Sequence, residues 1–168
     1  HASEAGVARY SYACGGLTPD SIHIGRDGRA RLLDPGICGA AAGVPHWGHD
    51  PVALAYTAPE QTGAEPNFSL VSDVFSIGVM IWEMLAGRSL FGAPTAAETL
   101  EHLHQAEIPR VQRQHFVRGE PLSAAVAQVV MHALQRDAKQ RPTTCRELAE
   151  ALHASAHAAT HAEVAERA

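Results

Sequence analysis

Histidines recur at every fourth residue near the end of the chain, at His153, His157 and His161. On a continuous helix this spacing brings three imidazoles near one face, where they could ligate zinc or another transition metal. The surrounding sequence is rich in alanine and offers no large apolar side chains to anchor such a helix. We therefore favour a solvated helix face over a metal site.

Other possible metal ligands and reactive groups are scattered. Residues 46–50 read His-Trp-Gly-His-Asp, but they lie in a predicted loop, which lacks the outer hydrogen bonds that orient metal ligands. The three cysteines, Cys14, Cys38 and Cys145, have no metal-type spacing, and their odd number argues against a disulfide framework. Such cysteines are typical of buried, inert thiols in a reducing cytoplasm.

The composition is that of one folded domain. Of the 168 residues, 46% are apolar and 18% are charged, and the net charge is -5. Acidic and basic residues are mixed, so no cationic surface for nucleic acid is expected. The longest apolar stretch, residues 71–86, is shorter than the roughly 20 residues that a membrane span needs and contains Asp73 and Glu83. We expect no membrane span, no signal peptide, a cytoplasmic location and further sequence upstream of His1.

The pattern near the start of the chain predicts one small β-hairpin. Apolar residues at 22–24 and 30–33 flank Gly25-Arg26-Asp27-Gly28, whose Asp-Gly pair favours a tight turn. From Cys38 to Ala55 there is no sustained periodicity, so a long irregular loop is expected.

The rest of the sequence predicts helices. Residues 71–86 are apolar nearly all round, which indicates a buried helix that Gly87 can end. Capping-box patterns at residues 95–98 and 144–147 mark two more helix starts. Residues 122–134 have apolar side chains at helical spacing, with Ser123 as the predicted cap. We predict a mainly α domain over residues 1–153, a helical bundle with one hairpin, followed by an Ala/His-rich tail or linker over residues 154–168.

Four separated segments resemble protein kinases, in the order in which that family uses them. They are Leu17–Ile22, similar to the end of the catalytic loop; Asp34-Pro35-Gly36, similar to the Asp-Phe-Gly magnesium motif; Ala58-Pro59-Glu60, the Ala-Pro-Glu motif; and Ser72–Gly78, similar to the central helix, with Arg141 as the late structural arginine. The set spans most of the chain. It resembles the C-terminal lobe of a bacterial-type serine/threonine protein kinase.

The resemblance implies that the catalytic positions have changed. A kinase uses the Asp of His-Arg-Asp-x-x-x-x-Asn as the base, and the Asn to hold magnesium. Counting back from Ser21 puts Gly16 at the base and Cys14-Gly15 at the His-Arg positions, with Thr18 where many kinases have lysine. In an alternative register, residues 6–10 are an eroded copy of the motif, with Tyr10 at the base.

The sequence has few of the residues with which a kinase binds its nucleotide. Asp34 is the one candidate ligand for magnesium and for a magnesium-bound nucleotide, but Pro35 replaces the motif's Phe, and one carboxylate alone binds magnesium poorly. The single lysine, Lys139, lies far from any phosphate-binding element, and the chain has no Gly-rich loop followed by a strand lysine. Mg-ATP is therefore expected only if the chain is part of an active kinase.

The structural residues of the family are present. Glu60 and Arg141 resemble the buried ion pair that fastens the Ala-Pro-Glu segment to the late helices. Asp73 resembles the central-helix aspartate that holds the backbone of the catalytic loop. The resemblance therefore implies a conserved scaffold around an altered catalytic loop.

We interpret the chain as a pseudokinase that binds or regulates a protein partner, either a kinase or another domain of its own polypeptide. The surface from Phe91 to Ile108 is the predicted interface, with Phe91, Leu100 and Leu103 as anchors. The alternative is part of an active ATP-dependent serine/threonine kinase, with Asp20 as a substitute base and nucleotide binding supplied from upstream.

Overall fold

The structure is a computed structural model that describes residues 13–33, 50–111, 123–156 and 161–166. Within these residues, strands β1 (Ile22–Ile24) and β2 (Ala30–Leu32) form an antiparallel hairpin. The helices are α1 (Pro51–Leu54), α2 (Leu70–Ala86), α3 (Ala96–Gln105), α4 (Ala124–Ala133), α5 (Cys145–Ser155) and α6 (His161–Ala165). Short 3-10 turns occur at Pro19–Ser21, Pro59–Gln61 and Ala138–Gln140. The mainly helical fold with one small hairpin is as predicted.

Helix α2 is the centre of the domain, and its predicted extent and burial are confirmed. Ser69 and Ser72 cap its start reciprocally, since the hydroxyl of each accepts a hydrogen bond from the backbone N–H of the other. Gly87 ends the helix in the left-handed conformation, with φ of 66°. Helices α4 and α5 both pack against α2, which explains why α2 is apolar on most sides.

The core lies along α2. Phe75 stacks on Phe91 with ring centroids 6.0 Å apart, and Trp82 is fully buried. The Trp82 indole nitrogen donates to the backbone carbonyl of Pro109 at 2.9 Å, so its one polar group is satisfied. The other fully buried large residues of this core are Val79, Leu103, Val111, Val130 and Leu134.

The predicted starts of α3 and α5 are both confirmed, and the capping box is complete in α3 alone of these two helices. Thr95 and Glu98 form the full capping box, with both side chain to backbone distances at 3.2 Å. Thr144 caps α5 by accepting from the Glu147 N–H at 3.1 Å, but the Glu147 carboxylate accepts from the Thr143 N–H instead of closing the box. Ser123 precedes α4 as predicted, yet its side chain makes no capping hydrogen bond.

The tight turn predicted at residues 25–28 is present, within a five-residue connection between the strands. Ile22 pairs with Leu32 and Ile24 with Ala30, so residues 25–29 connect the strands. Gly28 has φ of 72°, and its N–H donates to the Gly25 carbonyl at 2.8 Å. A Cβ on Gly28 would lie 1.8 Å from the carbonyl oxygen of His161, so α6 also requires glycine here.

The described residues near the end of the chain include two helices. Helix α5 continues to Ser155, and α6 lies against the hairpin turn. Ser155 stabilises the last turn of α5 because its hydroxyl donates to the carbonyls of Ala151 and Leu152.

Arg141 joins three parts of the domain. Its guanidinium donates to both carboxylate oxygens of Glu60 at 2.8 Å, and to the backbone carbonyls of Gln135, Val71 and Arg136. All five N–H donors of the guanidinium are therefore used. The contacts link the Ala-Pro-Glu segment, the start of α2 and the turn before α5.

The surroundings of this ion pair are largely closed to solvent. Arg141 is 4% exposed and lies over the Phe75 ring, 4.8 Å from its centroid. The Ser72 hydroxyl donates to Glu60 at 2.9 Å, so the carboxylate has a third partner. A buried charge of this kind is stable only while its partners remain.

Replacing Glu60 with Ala should lower the free energy of unfolding by about 3–5 kcal/mol, because it leaves the buried guanidinium without its carboxylate. Urea denaturation of the purified protein measures this change. The control is Glu150→Ala on the exposed face of α5, which should change the same free energy by less than about 0.5 kcal/mol. Equal stabilities of the two variants would contradict the role of the ion pair.

Stability should also depend on the ionisation of Glu60. Burial alone raises the pKa of Glu60, but the hydrogen bonds from Arg141 and Ser72 outweigh burial and hold the pKa below its ordinary value of 4.5. The resulting stabilisation is fully present above pH 4.5 and is lost as the pH falls through the lower, folded-state pKa. The stability advantage of the natural protein over Glu60→Gln should therefore shrink below pH 4.5. A constant difference between pH 7 and pH 3 would contradict this linkage.

Candidate functional site

Asp73 holds the backbone of the loop that precedes the hairpin. One carboxylate oxygen accepts from the Cys14 N–H at 2.7 Å, and the other accepts from the Gly15 N–H at 2.9 Å. Asp73 lies in the first turn of α2 and is 4% exposed. Burial raises the pKa of Asp73, and the two backbone N–H donors offset part of that rise.

Gln61 holds the same loop from another direction. Its side-chain nitrogen donates to the Gly15 carbonyl at 3.1 Å, and its side-chain oxygen accepts from the Ala58 N–H at 2.8 Å. Both N–H and carbonyl of Gly15 are therefore bound by buried side chains. Gln61 was not among the predicted residues, because its role depends on a contact with a residue 46 positions away in the sequence.

Gly15 has φ of 75°, a conformation that side chains strongly disfavour. The bend directs the chain from the Asp73 contacts into Gly16 and then into Leu17, which is buried. Gly16 is half-buried and has no side chain to bring to the loop.

Ser21 uses its hydroxyl within the turn that follows. Its oxygen donates to the Thr18 carbonyl at 2.7 Å and accepts from the Thr18 N–H at 2.8 Å. These contacts close the 3-10 turn that begins at Pro19. The neighbouring Asp20 is exposed on the outside of the turn.

Several predicted residues lie outside the described residues. They are Asp34, Cys38, His46, His49 and His157, together with Tyr10 of the alternative register. Among the residues that the structure describes, no group of three or more His, Cys, Asp or Glu side chains is arranged to hold a metal ion.

The segment after residue 50 is a short helix, so the predicted irregular loop is wrong for residues 51–54. Asp50 accepts from the Val52 N–H at 2.9 Å, and Pro51 occupies the first helical position. The Asp50 carboxylate, considered above as a metal ligand, is therefore the helix cap.

His153 and His161 do not share a continuous helix, contrary to the arrangement considered for a metal site. His153 lies in α5 and His161 in α6, and Ala156 between them is extended, with φ of -150°. His161 therefore does not continue the helix face on which His153 lies.

The predicted partner surface needs correction. Phe91 and Leu103 are both 0% exposed and belong to the core around α2, so they cannot anchor a partner at the surface. Of the three predicted anchors, Leu100 alone is partly exposed. The other two residues were misassigned because an amphipathic helix presents the same pattern to a core as to a partner.

Tyr56 fixes the segment before Ala-Pro-Glu to the end of α2. Its hydroxyl donates to Glu83 at 2.7 Å, and the other oxygen of Glu83 accepts from the Ser89 hydroxyl and the Leu90 N–H, both at 2.8 Å. Burial and the adjacent Glu83 raise the pKa of Tyr56, so the phenol remains protonated at neutral pH. The contact is a structural one.

The cysteines in the described residues are not disulfide-bonded. Cys145 packs against the apolar cluster of Val74, Ala133 and Leu148. Burial, with smaller contributions from Asp73 and Cys14, raises the pKa of the Cys145 thiol to about 11. This thiol is therefore a poor nucleophile at neutral pH.

No helix within the described residues combines the length and the apolar character required to cross a membrane.

Comparisons with known proteins agree on one family. The family model described as protein kinase domain matches residues 17–155. The serine/threonine-protein kinase pkn2 of Myxococcus xanthus is 36% identical over 159 residues, covering 87% of this chain and 18% of that protein. PknA of Corynebacterium glutamicum is 30% identical over 141 residues, covering 82% and 28%. PknL of Mycobacterium tuberculosis is 34% identical over 96 residues, covering 56% and 24%. The chain thus spans less than a third of these relatives.

Replacing Asp73 with Ala should release the loop, because the buried Gly15 N–H and the Cys14 N–H both lose their acceptor. We expect faster hydrogen exchange at these two amides and a loss of about 1–3 kcal/mol in the free energy of unfolding. Asp20→Ala, which changes an exposed carboxylate of the same loop, is the control and should alter neither quantity. Unchanged exchange at Cys14 and Gly15 in Asp73→Ala would contradict the assignment.

Proposed function

Since the chain belongs to the protein kinase domain family, we propose that it is a pseudokinase, a cytoplasmic signalling domain that binds or regulates a protein partner without transferring phosphate. The family match and the bacterial relatives confirm the resemblance predicted from the motifs. What we propose beyond the family is that catalysis has been lost and that the chain binds a protein partner.

The hydrogen bonds of Asp73 are the main support for the proposed loss of catalysis. In the kinase family the central-helix aspartate holds the backbone of the catalytic loop, and here Asp73 binds the N–H groups of Cys14 and Gly15. This supports the register in which these residues replace His-Arg, and Gly16 replaces the catalytic Asp. Glycine has no group that can accept the proton of a substrate hydroxyl.

The neighbouring positions support the same conclusion. Ser21, at the position of the magnesium-binding Asn, commits its hydroxyl to the backbone of Thr18. Thr18 itself has no charge with which to contact a phosphate, where many kinases have lysine. Binding of the metal and stabilisation of the transferred phosphoryl group are both central to the kinase reaction.

The scaffold, by contrast, has kept its buried polar contacts. The bonds from Asp73 and Gln61 keep the loop in a defined conformation although it lacks the base. A domain that retains these contacts without the catalytic groups presents a fixed surface, which suits recognition of another protein.

The partner surface that we propose lies on α1 and the end of α2. Val52 and Met84 are 61% and 72% exposed, and the Tyr56 to Glu83 hydrogen bond joins the segment that follows α1 to the end of α2. Covering these two exposed apolar side chains would contribute apolar burial to a complex. This surface replaces the one predicted around Phe91 and Leu103.

The test uses the full-length protein that contains this chain, titrated with Mg-ATP and followed by its melting temperature. A ligand that binds only the folded state raises that temperature, and we expect no magnesium-dependent rise up to millimolar nucleotide. Incubation with γ-labelled ATP and a general acceptor protein should transfer no label.

A saturable shift together with label transfer would contradict the proposal and support an active kinase. In that case Asp20→Asn and Asp34→Ala, assayed separately, identify whether Asp20 serves as the base and Asp34 as the magnesium ligand. The control for both is Asp137→Asn, an exposed carboxylate that caps the turn before Arg141.

A further inference from the structure

A cavity of about 340 Å³ lies between α4 and the segment that follows α3. Its lining residues on the α4 side are Ala127, Gln128, Met131, His132 and Gln135, which are spaced along one face of a helix. Arg110 lines it from the segment after α3. The volume is within the range of about 300–1,000 Å³ that is usual for small-molecule sites.

The backbone on both sides of Arg110 is fixed. The preceding carbonyl, that of Pro109, accepts from the buried Trp82 indole at 2.9 Å. The following residue, Val111, is 0% exposed and packs in the core. The guanidinium is therefore carried by an anchored segment, which lowers the conformational entropy lost when it binds a ligand.

Three of the polar side chains at the cavity are exposed and are not paired with other described residues. Within that part of the chain, the side chains of Arg110, Gln128 and His132 make no hydrogen bond or ion pair. No Asp or Glu is among the described lining residues, so none of these offsets the charge of Arg110.

The neighbouring arginine is in a different situation. Arg136 donates from Nε to the Leu103 carbonyl at 2.8 Å, and a second donor reaches the carbonyl of Ala106. It closes the end of α3 and is not available to a ligand. Among the described residues at this cavity, Arg110 is therefore the cation available to a ligand.

We propose that the cavity binds a small organic anion. Its carboxylate or phosphate group pairs with Arg110 and accepts from Gln128 and His132, and its apolar body packs against Ala127 and Met131. Arg110 fits such a group because a guanidinium presents parallel donors that match two oxygens of one anion. The site is independent of the proposed pseudokinase function and of any nucleotide.

The test titrates the full-length protein with benzoate, phenyl phosphate and inorganic phosphate at constant ionic strength, using calorimetry. Benzoate and phenyl phosphate distinguish a carboxylate from a phosphate ligand, and inorganic phosphate lacks the apolar body. We expect saturable binding of benzoate, phenyl phosphate or both, and at least about tenfold weaker binding after Arg110→Gln, because hydrogen bonds to charged groups contribute most here.

The control is Arg146→Gln, which removes an exposed arginine from α5 and leaves the net charge equal to that of Arg110→Gln. Its affinity for each probe should match that of the natural protein. The proposal is overturned if neither organic probe binds up to about 10 mM, or if inorganic phosphate binds as tightly as phenyl phosphate. Equal effects of the two Arg→Gln changes would overturn it as well, because they would indicate nonspecific charge attraction.

Discussion

The guanidinium of Arg141 is the interaction on which the rest of the structure depends. It is buried, and its five donors are distributed over Glu60 and three backbone carbonyls, so no nearby segment can shift without leaving a donor unpaired. The start of α2 is among these segments, and α2 carries Asp73. The position of the loop at Cys14 and Gly15 therefore follows from an ion pair formed far from it in sequence.

The altered catalytic loop and the intact scaffold differ in how their residues act. Asp73 and Gln61 bind backbone groups of the loop, so they hold its path whatever side chains follow. Gly16 and Ser21 occupy positions where a kinase needs particular side chains, and backbone contacts cannot supply those. A loop held in this way keeps its shape while its chemistry changes.

The sequence predicted the elements whose signals are local. The length of α2 followed from its apolar residues and Gly87, and the start of α3 from Thr95 and Glu98. It failed where tertiary packing decides: Phe91 and Leu103 have a pattern that fits a core and a partner surface equally well. Gln61 was missed because its role depends on the Gly15 carbonyl, 46 positions away, and no local pattern encodes that contact.

The contact between α6 and Gly28 joins elements near the two ends of the described chain. Closing so long a loop costs chain entropy, which is recovered only after the intervening helices have packed. Helix α6 is short, and none of its described residues belongs to the two apolar clusters, so the core does not support its contact with the hairpin turn. Contacts of this kind open at a lower free energy than the core does. The hairpin turn can therefore be uncovered without disruption of the helices around α2.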